Sequence, residues 1–188
     1  MPTLYIIGGP NGSGKSSHAI TIHNQSNLVV VNPDEIILEY RKKGVQDAEA
    51  LRQLIKLQVE QLFEQNTSFI FESNLHNYQS YGIVREAKKH RYRTELTFLA
   101  VDDIRILYLR VEERVRLGGH EVSKKEIQQR YKNGLELLPE HIKIFDRVEL
   151  IDSTDKIIKS QFILDKRNSI FRVLKQPSLW CKKILEAY

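Results

Sequence analysis

A glycine-rich segment near the start of the sequence has the residue types needed to hold phosphate. Residues 9–16 read GPNGSGKS and match G-x-x-x-x-G-K-[ST] at every position. The glycines let backbone N–H groups turn towards an anion, the lysine reaches the β- and γ-phosphates, and the Ser16 hydroxyl binds Mg²⁺. The motif predicts ATP or GTP as cofactor with Mg²⁺, bound by Gly9, Pro10, Asn11, Gly12, Ser13, Gly14, Lys15, Ser16 and Ser17.

The context of this motif supports the interpretation. Residues 3–8 form an apolar run typical of a buried strand, and residues 15–23 are predicted as a helix whose N-terminus favours an anion. A glycine-rich turn without a ligand is the weaker alternative. The loop indicates nucleotide binding but not the reaction, because kinases, switches, motors and transporter ATPases share it.

Two carboxylates follow predicted strands and could complete the site. Asp34 follows the strand predicted at residues 27–31 and could take the proton of an acceptor hydroxyl, or it could only favour the first turn of a helix capped by Asn32. Glu72 ends the strand predicted at residues 68–72 and could bind substrate hydroxyls or the water shell of Mg²⁺. Both stand where the carboxyl ends of parallel strands line a ligand crevice.

A second pair of carboxylates admits two interpretations. Asp102 and Asp103 follow the strand predicted at residues 94–101 and resemble a Walker B ending. Asp103 could equally cap the helix predicted at residues 103–117, and capping preferences favour that role.

Basic side chains concentrate in a predicted helix–turn–helix around a Gly-Gly-His turn. Residues 105–132 hold eight basic and four acidic side chains. Arg110, Arg114 and Arg130 on a closing lid could stabilise the charge that spreads over oxygens during phosphoryl transfer. Alternatively, these arginines are the solvated faces of two helices, and His120 is an ordinary turn residue.

Apolar strand patterns alternate with amphipathic helical patterns along the chain, as is typical of βαβ units. Further helices are expected at residues 33–43, 46–65, 79–90 and 123–138, the last broken at Pro139, and a fifth strand at residues 147–151. The order predicts an α/β P-loop NTPase fold: a mostly parallel sheet of about five strands flanked by helices, a helical lid at about residues 103–138, and a C-terminal hairpin plus helix. We expect one domain over residues 1–188.

Composition excludes several other classes of protein. Hydrophobic residues make up 41% and charged residues 28%, which is ordinary for a folded domain. The longest purely aliphatic run is four residues, far short of the roughly 20 that span a bilayer. The N-terminus lacks a secretory pattern, and the single cysteine excludes an internal disulfide. We therefore expect a cytoplasmic protein without a membrane partner.

The C-terminal segment is strongly basic. Residues 156–188 carry eight basic and two acidic side chains, which could attract nucleic acid. The charges are spread along the segment, however, and we interpret them as a solvated face rather than as a nucleic-acid site.

These features together resemble the zeta toxin family of P-loop kinases over roughly residues 3–155, with a weaker match near residues 177–180. The resemblance rests on GPNGSGKS, NPDE, FES, the Arg110–Arg114–Gly-Gly-His120 pattern, residues 127–131, and Asp152-Ser153. It implies ATP- or GTP-dependent phosphorylation of a sugar hydroxyl, in the toxins that of UDP-N-acetylglucosamine. By position, it implies that Lys15 binds phosphate, Asp34 is the base, Glu72 binds substrate, and Arg110 or Arg114 acts in the lid with His120 and Arg130.

The sequence also departs from the pattern of that family. Ser73-Asn74 replaces the threonine pair often found after the strand-end glutamate, which bears on the acceptor. Ser123 stands where short homologues usually have proline, and His120 where a toxin has a lid arginine. The long C-terminal extension of the toxins is not seen in this sequence.

We therefore expect a kinase that transfers the γ-phosphoryl group to a hydroxyl of a small anionic metabolite, with nucleotide sugars as leading acceptors. Catalysis would rest on Lys15, Asp34, Arg114 and Arg130, nucleotide binding would extend to Arg110, and Asp34, Glu72 and His120 would bind the acceptor. A protein antitoxin is a candidate partner. The alternatives are a polynucleotide-end kinase and an ATP-binding regulatory protein without turnover; a transporter ATPase is disfavoured because its Gly-Gly signature precedes the Walker B strand.

Overall fold

Seven strands form one sheet in the computed structural model, which describes residues 1–188. The strands are β1 (Thr3–Gly8), β2 (Val29–Val31), β3 (Phe69–Ser73), β4 (Arg93–Ala100), β5 (Arg147–Asp152), β6 (Lys159–Asp165) and β7 (Ile170–Val173). Their order is β2-β3-β1-β4-β5-β6-β7. The first five strands in this order are parallel, as expected, and the predicted hairpin continues the same sheet with two antiparallel strands.

Seven α-helices cover the sheet. They are α1 (Lys15–Ser26), α2 (Pro33–Lys42), α3 (Ala48–Glu64), α4 (Gly82–Lys89), α5 (Ile104–Arg116), α6 (Lys124–His141) and α7 (Leu179–Ala187). The helix predicted at residues 79–90 begins instead with a 3-10 turn over Tyr78–Tyr81. None of the helices combines the length and the apolar character needed to cross a bilayer.

The position of the central strand β1 explains why the predicted site residues lie at one edge of the sheet. Its residues are apolar on both faces, with Leu4, Ile6 and Ile7 all fully or almost fully buried, because helices pack against both sides. In register, Gly8 lies beside Ser73 of β3 and Phe98 of β4. The loop after β1 is therefore flanked by the residues that follow the two neighbouring strands.

Short polar side chains fix the helix starts as the sequence predicted. Asn32 Oδ1 accepts hydrogen bonds from the first-turn N–H groups of α2, and Asp103 Oδ1 accepts one from Arg105 N at the start of α5. Ser123 and Glu126 form a reciprocal capping box at α6. The interpretation of Asp103 as a cap is confirmed.

The predicted break at Pro139 is wrong, because α6 continues to His141. A proline removes one N–H bond to the preceding turn and strains the helix. Here the last turn buries Leu138 and His141. The imidazole of His141 stacks on Tyr81 at 4.0 Å between ring centroids. This packing offsets the lost hydrogen bond.

Asp102 has a structural role that sequence patterns did not indicate. Its carboxylate accepts hydrogen bonds from Leu179 N at 3.0 Å and Trp180 N at 2.8 Å. It thus caps α7 from a point 77 residues earlier in the chain and fixes the Trp180 indole in the core. The Walker B interpretation of Asp102 fails, because this carboxylate serves the C-terminal helix.

We expect Asp102→Ala to lower the free energy of unfolding by about 1–2 kcal/mol, since two first-turn N–H groups would lose their acceptor. Asp102→Asn keeps one amide oxygen and should cost less. Urea unfolding followed by Trp180 fluorescence measures both changes. Equal stability of Asp102→Ala and the unmodified protein would contradict the capping role.

Candidate active site

A cleft of about 900 Å³ opens at the carboxyl ends of β1 and β3. Its walls come from five parts of the chain: the loop after β1 with the start of α1, the start of α2, Arg52 of α3, the end of β3 with the segment up to the start of α4, and α5 with the turn after it. All of these except α3 carry predicted site residues. The fold therefore brings together residues that are far apart in the sequence.

Glycines shape the loop after β1 for close backbone approach. A Cβ on Gly9 would lie 2.2 Å from the Leu99 carbonyl oxygen, and one on Gly12 would lie 2.8 Å from that of Leu107. Both have positive φ angles, as does Gly14, whose Cβ position has no atom within 4 Å. Gly9 and Gly12 are thus packed against the protein, whereas Gly14 faces open space where a ligand can approach.

The N-terminus of α1 is prepared for an anion. No side chain caps it, and its first turn contains no acidic residue. Unpaired N–H groups and the positive end of the helix dipole therefore meet at the cleft. The buried Ser13 Oγ also lacks a hydrogen-bond partner. The neighbouring α2 contrasts with this arrangement, because Asn32 caps it and two acids occupy its first turn.

Lys15 lies at the floor of the cleft and is held by two oxygens. Its Nζ donates to the Pro10 carbonyl at 3.0 Å and to Asn74 Oδ1 at 3.1 Å. Burial lowers the pKa of Lys15 from 10.5 to about 8, and the nearby carboxylates of Glu72 and Asp34 counteract part of that shift. Burial thus outweighs the attraction of the two carboxylates in setting the pKa of Lys15.

Ser16 and Glu72 form the oxygen pair next to this lysine. Ser16 Oγ donates to Glu72 Oε2 at 2.9 Å. Burial raises the pKa of Glu72, while the hydrogen bond from Ser16 and the charge of Lys15 lower it in part. Mg²⁺ prefers oxygen ligands at 2.0–2.1 Å in octahedral geometry, in which adjacent ligands lie about 2.9 Å apart. The hydroxyl and carboxylate thus fit a magnesium ion that takes its other ligands from phosphate and water.

Asp34 faces the cleft with a free carboxylate. Asn32, not Asp34, caps α2, and the Asp34 side chain makes no hydrogen bond or ion pair with the rest of the chain. Its charge acts on Lys15 and on His76, which places it near both. The geometry leaves this carboxylate available to a ligand.

Arg110 joins the phosphate loop to the loop after β5. Its guanidinium donates to the carbonyl oxygens of Ser153 at 2.7 Å, Thr154 at 3.0 Å and Gly12 at 3.4 Å. Although Arg110 lines the cleft, most of its donors serve backbone acceptors. It orders two loops that border the nucleotide side of the cleft.

Arg114 and Arg130 approach the site from α5 and α6. Arg130 donates to Asn11 Oδ1 in the phosphate loop at 2.9 Å. Arg114 folds back on the turn and donates to the His120 carbonyl at 2.6 Å, while its buried Nε has no partner. Both guanidinium groups lower the pKa of Lys15, so all three cations share one region.

Most other basic residues of these two helices are neutralised at the surface. Arg105 pairs with Asp103, Arg116 with Glu113, Lys124 with Glu112 and Lys132 with Glu136. The solvated-face interpretation therefore describes these four residues. Arg130 also lies 3.6 Å from Glu126 Oε1, but it differs from these four residues, as do Arg110 and Arg114, because its guanidinium group reaches a loop around the cleft.

The predicted residues divide by their position. Asn11, Gly12, Gly14, Lys15, Ser16, Ser17, Asp34, Glu72, Arg110, Arg114 and His120 line the cleft. Gly9, Pro10 and Ser13 belong to the same loop but are buried and do not line the cleft. Arg130 contacts the loop through its hydrogen bond to Asn11. Sequence reasoning missed Asn74 as a partner of Lys15, and His76 as a lining residue. The position of Asn74, two residues after Glu72, was the available signal.

Known proteins provide an independent comparison. The Zeta toxin family model matches residues 1–161. An uncharacterized protein of Haemophilus influenzae is 27% identical over 126 residues, which cover 65% of this chain and 88% of that protein. The description of this relative does not indicate a function.

Solved structures share the fold at low sequence identity. One from the PezAT chromosomal toxin–antitoxin system of Streptococcus pneumoniae has a TM-score of 0.63 and 15% identity, and the match covers 99% of this chain and 84% of that one. A structure of AvrRxo1-ORF1:-ORF2 with ATP has a TM-score of 0.73 and 14% identity, covering 92% and 60%. These structures share the α/β fold of this chain, and the family match over residues 1–161 shows that the chain belongs to the zeta toxin family.

Proposed function

We propose that this protein is a kinase that transfers the γ-phosphoryl group of ATP or GTP to a hydroxyl of a small anionic metabolite. The observation that carries this proposal is one cleft in which Lys15, the Ser16–Glu72 pair and the unpaired Asp34 carboxylate face the same space. A plain nucleotide-binding site requires the first two but has no use for a further free carboxylate that faces the same cleft.

The proposed reaction is an in-line displacement at phosphorus. The acceptor oxygen bonds to the γ-phosphorus as the bond to the β–γ bridging oxygen breaks, and the acceptor proton passes to the Asp34 carboxylate. Lys15 stabilises the charge on the transferred group and on the departing diphosphate. The positive charge of Lys15 thus acts on the oxygens whose negative charge grows in the transition state.

Ser16 and Glu72 would hold Mg²⁺ in this scheme. The ion would neutralise charge on the β- and γ-phosphate oxygens. Glu72 is also buried beside Lys15, so its charge would attract the lysine ammonium group. The pairing of Glu72 with Ser16 thus supports a metal-binding role in addition to the acceptor-binding role that the resemblance implies.

We propose that residues 103–138, which contain α5 and most of α6, act as the lid of a single kinase domain. The pair is anchored at its base, where Tyr131 Oη donates to the Val101 carbonyl at 2.8 Å. The exposed turn at residues 117–120 lies at its tip. Closure of the tip would bring Arg114 and His120 towards the transferred phosphate.

Replacing Arg114 or Arg130 by alanine should lower kcat by about tenfold or more while weakening Mg-ATP binding less, because the charge that they meet grows in the transition state. Steady-state kinetics and calorimetry separate the two effects. Arg116→Ala is the matched control, since Arg116 pairs with Glu113 at the surface. An unchanged kcat in both variants would assign these arginines to structure alone.

The acceptor side of the cleft suits a hydroxyl-rich molecule. Its wall carries neutral hydrogen-bonding side chains, namely those of Asn32, Ser73, Asn77, Gln79 and Ser80. His120 at the rim could meet an anionic group, whereas Arg52, also at the rim, is paired with Glu49 at 2.8 Å. These side chains, with the family's chemistry, support a nucleotide sugar such as UDP-N-acetylglucosamine as the leading acceptor.

A screen of γ-phosphate transfer tests the proposal. Radiolabelled ATP and GTP with Mg²⁺ are offered with nucleotide sugars, nucleosides and oligonucleotides. Label on a nucleotide sugar supports the proposed class of acceptor, whereas label on an oligonucleotide end would favour the polynucleotide kinase. Tight nucleotide binding without transfer to any acceptor would favour a regulatory nucleotide-binding protein.

A protein antitoxin is the partner that we propose. PezAT is a toxin–antitoxin system, and AvrRxo1-ORF1 forms a complex with ORF2. Both lie at 14–15% identity to this chain, so they support the class of partner and not its identity.

A further inference from the structure

The turn after β3 has an unusual backbone. Leu75 has a φ angle of +49° and is fully buried. A bulky side chain rarely adopts this left-handed conformation, which is strained and persists only where the surroundings enforce it. Such outliers gather at functional sites. Leu75 directly follows Asn74, whose side chain reaches Lys15.

Several contacts hold the turn in this conformation. Leu75 N donates to Ser73 Oγ at 3.2 Å, and Tyr81 Oη donates to the Leu75 carbonyl at 3.4 Å. A Cβ on Gly8 would lie 2.6 Å from Leu75 Cδ1, and one on Gly134 would lie 3.5 Å from the Asn74 carbonyl oxygen. The two glycines leave the space that the turn occupies.

The result is a fixed amide oxygen next to the phosphate lysine. An ammonium group has three N–H donors and no acceptor, so the amide oxygen of Asn74 must be the atom that faces Lys15. The Pro10 carbonyl and Asn74 Oδ1 take two of these donors. The third remains for a phosphate oxygen. Because one acceptor is a backbone carbonyl and the other belongs to the turn that Leu75 anchors, the direction of this third donor is set before a ligand arrives.

We propose that Asn74 is a positioning residue that holds the Lys15 ammonium group in its phosphate-binding orientation. This inference rests on the proposed function and assigns a role to a residue where the sequence departs from the family pattern. A neutral amide suits the task, because it orients the ammonium group without competing with phosphate for its charge. An aspartate at this position would form an ion pair with Lys15 and repel the nucleotide.

The test compares Mg-ATP binding by calorimetry in Asn74→Ala, Asn74→Asp, Lys15→Ala and the double variant Asn74→Ala/Lys15→Ala. We expect Asn74→Ala to weaken binding about tenfold, the scale of one hydrogen bond to a charged group. In the Lys15→Ala background the same change should alter binding less than twofold, because Asn74 acts through the lysine. Asn74→Asp should weaken binding more than Asn74→Ala and yet keep or raise the melting temperature without nucleotide.

Matched controls are Asn24→Ala and Asn24→Asp, which change an exposed side chain about 13 Å along α1 from Lys15. They should leave affinity unchanged. If Asn74→Ala tightens binding, Asn74 restrains the lysine instead of presenting it, and the proposal is wrong. An equal loss with and without Lys15 would also overturn it, because Asn74 would then act directly or through the fold.

A second measurement separates this proposal from the proposed function. Urea unfolding of the unmodified protein, Asn74→Ala, Lys15→Ala and the double variant without nucleotide gives the coupling between Asn74 and Lys15. Coupling is expected because the two side chains are in contact. If the unmodified protein failed to bind Mg-ATP while this coupling persisted, the proposed function would fail and the contact would stand. Normal ATP binding without coupling would reject the positioning role alone. Asn74→Asp, which has nearly the same shape, provides the folded variant if Asn74→Ala does not fold.

Discussion

Lys15→Ala is expected to weaken Mg-ATP binding at least 100-fold and leave the fold intact. The Lys15 ammonium group would meet both β- and γ-phosphates, and hydrogen bonds to charged groups contribute about 1.5–3 kcal/mol each. Burial has already removed much of its hydration, since the pKa of Lys15 is lowered to about 8. Removing this cation therefore removes a charge that water does not replace.

Calorimetry in Mg²⁺ buffer measures this effect, and circular dichroism checks the fold. Lys183→Ala is the control, because Lys183 is exposed on α7 and forms no ion pair. It changes the net charge by the same amount without touching the cleft. Equal nucleotide affinity of Lys15→Ala and the unmodified protein would reject the phosphate-loop assignment.

Local sequence patterns predicted the helices and strands of this fold because side-chain periodicity and helix caps depend on residues close together in the chain. Apolar residues at spacings of three and four gave the helix near residues 48–64, and Ser123 with Glu126 gave the start of α6. The prediction of a break at Pro139 was wrong because distant residues decide there: the last turn of α6 packs into the core, and the proline remains helical. The predicted hairpin is present, but local patterns did not indicate that it would join the main sheet by pairing β6 with β5.

The glycine-rich loop that we propose binds phosphate was likewise readable from the sequence, since eight consecutive residues form it, from the end of β1 to the first turn of α1. The rest of the candidate site depends on contacts across long separations that no spacing reveals. Arg110 reaches backbone oxygens 43 and 98 residues away. Every residue has a backbone carbonyl, so the pattern of side-chain types in a sequence does not reveal which carbonyl will accept a hydrogen bond. Arg130 was predicted to act in the lid, but its partner Asn11 is 119 residues distant.

The electrostatics of the cleft favour an anionic ligand over a neutral one. The charges of Arg114 and Arg130 both act on Lys15, and the acids that line the cleft are Asp34, Glu35 and Glu72. Metal binding would engage Glu72 and leave Asp34 as a free carboxylate. The charge of a nucleotide phosphate chain would balance the remaining cations, whereas Asp34 would stay available to a hydroxyl.

Asp34→Asn is expected to reduce phosphoryl transfer roughly 100-fold or more, the usual scale for loss of a general base. The amide has the size of the carboxylate but cannot accept the acceptor proton. Mg-ATP affinity should stay near that of the unmodified protein, because Lys15 and Ser16 hold the nucleotide. The melting temperature should change little, since Asn32 and not Asp34 caps α2.

The control is Asp47→Asn, which makes the same chemical change at the N-terminus of α3. Asp47 caps that helix, and asparagine caps about as well as aspartate, so kcat should be unchanged. A single-turnover assay with saturating ATP separates the chemical step from product release. If Asp34→Asn transferred phosphate at the rate of the unmodified protein, the carboxylate would serve only the helix dipole. The base would then have to be sought at Glu72, the other carboxylate that the cleft places beside Lys15.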